Sequence, residues 1–346
     1  MSKIIRFRPF SARLVAISIV FVVAAFFFSP SASSADVEGA WEAGSSSYGV
    51  WLKLGLWPDD DDWRNTTSIS DPDLTLFVDR GAGSFRLVRQ AGVFVLTRTS
   101  SPGAKAAGTF VFTADRGYVT EMGRRGYGGL TQRRHFELAA LDLTTDFIDD
   151  LAGEGYDGLS LDRVVEMKIH CADAEYVREL AGRGYTGLEP RRLVEMRIHG
   201  VDAEFIDGMA RLGYEDLSPA RLVEMRIHGV TPTYIRDLAA ADFEDLEARR
   251  LVDMRIHGVT PEYLEEMAEL GYSERMASRW VEARIHGVSP ELVVDLAELG
   301  YSDLSLSDLI EMQIHGVSPS YIRRQIERGE IRLTARELIE RRIHGW

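Results

Sequence analysis

The chain has 346 residues, 45% hydrophobic and 27% charged, a balance that excludes a disordered polymer and leaves room for more than one folded domain. Its formal net charge of −14 opposes binding to phosphate backbones and to anionic lipid surfaces. A single cysteine, Cys171, excludes an intramolecular disulfide, so stability has to come from packing.

The amino terminus carries Lys3, Arg6, Arg8 and Arg13, then an apolar run over residues 14–28, then small residues over 31–35. That order predicts an export signal cut after Ala35; the alternative is an uncleaved inner-membrane anchor. Residues 1–35 contain four positive charges and no acid, so a chain cut there is four charges more negative. Membrane contact is expected only through this segment. The destination is periplasmic or extracellular.

Residues 36–111 read as strands. "GVWLKLGLW" alternates, with Val50, Leu52, Leu54 and Leu56 on one side, and "SFRLVRQAGVFVLTRT" and "GTFVFT" add further strands between glycines and prolines. A small antiparallel β domain of five or six strands is expected. The acids Asp59, Asp60, Asp61 and Asp62 lack the glycine turn and spaced carboxylates of a calcium loop and read as a solvated loop. Asn65-Thr66-Thr67 fits a glycosylation acceptor, relevant only on a eukaryotic export route.

A repeat fills the rest. His170, His199, His228, His257, His286, His315 and His344 are spaced by 29 residues without an insertion or deletion. Seven units run from 141 to 343, and a worn eighth covers about 112–140. Each unit reads as two short helices. In the unit after His257, Thr260 is the N-cap and Pro261 the first helical residue; Tyr263, Leu264 and Met267 are apolar, and Gly271 is the left-handed stop. In the second helix, Ser218 caps, Pro219 starts, Leu222, Val223, Met225 and Ile227 supply apolar side chains, and Gly229 stops. Tyr272 and Val230 are expected to fold back onto the preceding turn. Two such short helices are marginal alone, so neighbouring units must share faces. The last unit is arginine-rich and lacks the usual Gly-Tyr pair, as a polar end cap would, and Trp346 is expected to plug the end. The fold class expected is α+β: an export signal over 1–35, a small antiparallel β domain over 36–111, and an α-helical solenoid of seven to eight two-helix repeats over 112–346.

Four residues before each histidine stands an acid: Glu166/His170, Glu195/His199, Glu224/His228, Asp253/His257, Glu282/His286, Glu311/His315 and Glu340/His344. Positions i and i+4 face each other on a helix, and a histidine in the last turn suits the helix dipole. This accounts for the ladder structurally. The functional alternative is a metal-binding ladder, although one carboxylate and one imidazole per unit make only half a site. A third reading is a pH response, because an acid and a dipole end would both favour the charged imidazole. Cys171 breaks the column of glycines that follow the histidines and reads as a tolerated substitution rather than a nucleophile. The columns Arg197, Arg226, Arg255 and Arg284 are expected to be exposed and available for charge complementarity.

The unit "LVDMRIHGVTPEYLEEMAELGY", together with "FRLVRQAGVFVLTRT" and "GAKAAGTFVFTADRGYVTEM", resembles a repeat of bacterial exported proteins of unknown function. Similar repeats are appended to some membrane metallopeptidases of the β-lactam-sensor type. The resemblance covers about 75–346. No H-E-x-x-H is present, so no peptidase residues carry over. What it implies is a sensory or partner-facing accessory module in a bacterial envelope.

The function expected is a non-catalytic exported scaffold for a protein or peptide partner, with no cofactor and no enzymatic activity. No Ser/His/Asp order, phosphate loop or metal triad is visible. "RIHGVTP" is reminiscent of a helix-hairpin-helix, but the second glycine of that turn is missing and the net charge opposes nucleic acid.

Overall fold

The computed structural model describes residues 36–46, 49–56, 64–69, 72–81, 83–101, 105–329 and 333–345. Residues 1–35, Asp59 to Asp62 and Trp346, on which expectations were placed, lie outside them. The chain divides into two compact units, Met1–Gly153 with Asp157–Ile169 and Glu154–Tyr156 with His170–Trp346.

The first unit is built on one antiparallel sheet: β1 (Asp36–Ser46), β2 (Gly49–Leu56), β3 (Arg64–Ile69), β4 (Ser84–Arg89), β5 (Gly92–Arg98) and β6 (Ala106–Ala114). The strand order is β3-β2-β1-β6-β5-β4. Period-two alternation sets the inner face, with Trp41 and Ala43, Val50, Leu52 and Leu54, Phe94 and Leu96, and Phe110 and Phe112 all buried. Asn65-Thr66-Thr67 fall in β3, paired with Leu54-Lys53-Leu52 of β2.

The expectation of strands alone over 36–111 is corrected at α1 (Pro72–Arg80). Leu74, Phe77 and Val78 recur at helical spacing and are buried against the sheet. Its end is tied down by Arg98, whose Nη1 donates to the carbonyls of Phe77 (3.2 Å) and Val78 (2.7 Å).

From residue 116 the described residues form eight helix pairs. The first helices are α2 (Arg116–Arg124), α4 (Thr145–Gly153), α6 (Ala174–Ala181), α8 (Ala203–Ala210), α10 (Pro232–Ala240), α12 (Pro261–Glu269), α14 (Pro290–Glu298) and α16 (Pro319–Glu327). The second helices are α3 (Gln132–Ala140), α5 (Leu161–Ile169), α7 (Pro190–Ile198), α9 (Pro219–Ile227), α11 (Ala248–Ile256), α13 (Ala277–Ile285), α15 (Leu306–Ile314) and α17 (Ala335–His344). The protein is therefore α+β, a sheet followed by a helical repeat region. Helices α2–α5 cluster with the sheet rather than with the later repeats. Phe136 of α3 is the reason: it stacks on Phe110 (5.5 Å) and meets Phe94 (5.7 Å) and Phe112 (5.8 Å) edge-on, so the sheet's core continues into the first repeat.

Within the second unit, like packs on like. Each second helix contacts the next second helix from α7 to α17, and each first helix the next from α8 to α16. The core columns are Leu193/Leu222/Leu251, Met196/Met225/Met254 and Val201/Val230/Val259, all at 0–1% exposure. N-caps are as the sequence predicts: Thr260 accepts from the Tyr263 amide, and Ser218 from that of Arg221. So are the stops. Gly200 (φ 69°) donates to the Arg197 carbonyl and Val201 to that of Met196, the paired bonds of a Schellman end that buries the valine.

Candidate functional site

The repeated histidine closes the second helices α7, α9, α11, α13 and α15. His199, His228, His257, His286 and His315 are the C-cap residues, with φ near −90°, between the last helical isoleucine and the left-handed glycine. In these five units the acid four residues earlier does not serve the imidazole. Glu166, Glu195, Glu224 and Glu282 each bind the arginine three residues before them (Arg163, Arg192, Arg221, Arg279), and Asp253 lies 3.6 Å from Arg250. Glu340 binds Arg336 at 3.2 Å. Among the described residues no hydrogen bond or ion pair joins acid to imidazole in the five pairs from Glu195/His199 to Glu311/His315. At Glu195, Glu224, Asp253 and Glu282 the guanidinium wins because it offers several donors in a fork where an imidazole offers one. No three His, Cys, Asp or Glu side chains come together as metal ligands among the described residues.

The arginine two residues before the histidine is not free either, contrary to expectation. Arg197, Arg226, Arg255 and Arg284 lie 4.7–4.8 Å over the rings of Tyr176, Phe205, Tyr234 and Tyr263 of the same unit's first helix, and Arg342 lies 5.1 Å over Tyr321. In the first unit Lys168 takes the same place over Phe147. Where the aromatic position holds Leu292, the cation position holds Gln313. The glycine answers to its left-handed backbone (Gly200, φ 69°), and beside it Arg226 Nε donates to the His199 carbonyl at 3.3 Å. Cys171 adopts the same left-handed backbone (φ 55°) and is exposed.

Tyrosine hydroxyls tie successive units together. Tyr176, Tyr234 and Tyr263 donate to the carbonyls of Val201, Val259 and Val288. A second column, Tyr156, Tyr185, Tyr214, Tyr272 and Tyr301, donates to Leu188, Leu217, Leu246, Leu304 and Leu333. Burial pushes the Tyr263 hydroxyl up to about 12, against a smaller opposing pull from Arg284, and raises Tyr176, Tyr234 and the second column in the same direction.

What remains unpartnered is the residue just before each histidine. Ile227, counted in the sequence among the apolar side chains of its helix, is 54% exposed. So is its whole column: Ile198, Ile256, Ile285, Ile314 and Ile343 lie between 49% and 55% exposed, as does Ile169 in the first unit. Helix α9 turns Leu222, Val223 and Met225 inward, and 3.6 residues per turn then carries position 227 out. One signal in the sequence could have found this. The isoleucine is identical in all seven copies, whereas buried columns vary: Met becomes Ala283, and Leu becomes Trp280.

No protein-family model, no curated protein and no solved structure matches this chain.

Proposed function

We propose that the protein is a non-catalytic exported scaffold whose repeats bind a protein or peptide partner along the column of exposed isoleucines. The column itself carries the reading. Isoleucine is a poorer helix former than Ala, Leu or Arg, so an exposed helical site gains nothing locally from holding it. A single exposed apolar residue needs no explanation, but six at one register in neighbouring packed helices form a row. The histidine beside each isoleucine supplies a polar rim, which is how interfaces surround an apolar centre. The order of charge, apolar run and small residues over 1–35 supports export into an envelope compartment.

Nucleic-acid binding is disfavoured by the same turns that suggested it. In α8, α10 and α12 the amides of Phe205, Tyr234 and Tyr263 are taken by the caps Asp202, Thr231 and Thr260, and Pro232 and Pro261 have no amide to offer a phosphate.

The test is affinity capture from an envelope fraction, followed by reconstitution with the purified captured protein. The baits are the full chain and a variant carrying Ile227→Gln, Ile256→Gln and Ile285→Gln. Binding by the former and loss by the latter supports the scaffold. A partner retained by both places recognition elsewhere in the molecule.

A further inference from the structure

The rows of the second unit differ in charge as well as in apolar surface. Helices α7, α9, α11 and α13 carry ten arginines and four acids. Helices α8, α10, α12 and α14 carry ten acids and one arginine. The four acids of the first set are those held by Arg192, Arg221, Arg250 and Arg279. Six arginines remain on these four helices, four of them, Arg197, Arg226, Arg255 and Arg284, lying over rings. Two of them, Arg191 and Arg249, are exposed and stand seven residues before Ile198 and Ile256, two turns away on the same helix face. In a chain of net charge −14 this row is where an anionic partner is admitted, because the acidic row repels it. A basic partner would be drawn to the acidic row and miss the isoleucines.

Spacing narrows the partner further. Packed helices lie about 8–10 Å apart, so successive isoleucines recur at about that interval. A polyproline-II chain rises about 3.1 Å per residue with three residues per turn, so every third side chain returns to one side after about 9.3 Å. A β-strand returns to the same side after about 6.6–6.8 Å, which does not match. Resting on the scaffold reading, we propose that the partner is an acidic polypeptide segment in an extended, polyproline-II-like conformation, with an apolar residue at every third position set on Ile198, Ile227, Ile256, Ile285, Ile314 and Ile343 in turn, and carboxylates meeting Arg191 and Arg249.

An anionic membrane fits less well. The apolar row is one residue wide, two uncommitted arginines are too few to hold a charged surface, and the molecule as a whole is negative.

The experiment uses synthetic 24-residue peptides against the full chain by calorimetry: repeats of Leu-Glu-Glu, of Leu-Lys-Lys, and of Leu-Glu. Mutual repulsion keeps the Leu-Glu-Glu chain extended at neutral pH. The Leu-Glu-Glu peptide is expected to bind, to bind more weakly at high salt, and to lose roughly tenfold or more in affinity to the Ile227→Gln, Ile256→Gln, Ile285→Gln variant. Equal or tighter binding of the Leu-Lys-Lys or Leu-Glu peptide overturns the proposal. So does undiminished binding by the variant, or a preference for phosphatidylglycerol vesicles over the peptide. The two readings fail differently. A peptide of the wrong charge or period that still needs the three isoleucines ends this inference and leaves the scaffold intact, whereas binding by any polypeptide that ignores them counts against the scaffold itself.

Discussion

At the scale of single residues, the repeat assigns each side chain a task that its neighbours in the next unit complete. Cys171 shows what an imperfect fit costs. It keeps the left-handed turn that glycines adopt elsewhere, at φ 55°, with a Cβ that crowds the carbonyl oxygen. Cys171→Gly should therefore raise the unfolding free energy by about 1 kcal/mol in denaturant titration. No change would mean that the turn relaxes around the thiol. Leu292 and Gln313 are the one mismatched pair in the aromatic–cation columns of the second unit, and Gln313 Nε2 is buried there without a partner. Leu292→Tyr and Gln313→Arg together should restore the stack, with a favourable coupling of about 0.5–2 kcal/mol in a double-mutant cycle. Strict additivity would deny the stack any energetic role.

At the scale of elements, most of the architecture was legible because capping and stopping are local. Ser218, Thr260, Pro219, Gly229 and Gly271 act where the sequence places them, since caps and Schellman ends depend on only five or six consecutive residues. Helix α1 was missed although Leu74, Phe77 and Val78 have helical spacing, because it is only nine residues long and lies among strands. The histidine ladder was legible as a C-cap, but its acid was given the wrong partner. The i,i+4 rule names which residues are near, not which donor among several wins. The outward turn of the isoleucines was not legible in one unit, where "LVEMRI" offers four apolar residues and a short helix can bury only some of them. Compensation within a unit shows the same dependence on neighbours. Trp280 fills the leucine column while Ala283 makes room in the methionine column, and Trp280 meets Tyr263 at 5.6 Å edge-on.

Deletions test this element by element. Removing 203–231 takes out one whole period and joins equivalent positions, so the protein should remain folded and monophasic in a thermal melt. Removing 203–217 leaves a first helix missing and shifts every later contact, and should abolish the cooperative transition. A folded product from the second deletion would mean that the helices do not depend on one another.

At the scale of the whole molecule, stability should carry a signature of the buried tyrosine columns. The folded state holds these hydroxyls neutral, raised from an ordinary value of about 10, to about 12 for Tyr263. The stabilisation is full below the unfolded value and is lost as pH rises through the folded one, since the unfolded chain gives up its protons first. Denaturant midpoints should be flat from neutral pH up to about 10 and then fall steeply. A flat profile to about pH 12 would show that the hydroxyls are not held in the core.

The central claim is that the isoleucine before each histidine faces solvent and does no structural work, leaving it for a partner. The most direct measurement is the unfolding free energy of the chain carrying Ile227→Gln, Ile256→Gln and Ile285→Gln. Exposed positions predict a change within about 0.5 kcal/mol per site. A loss of about 2–5 kcal/mol per site, the cost of removing a buried isoleucine, would return the column to the core and contradict the account.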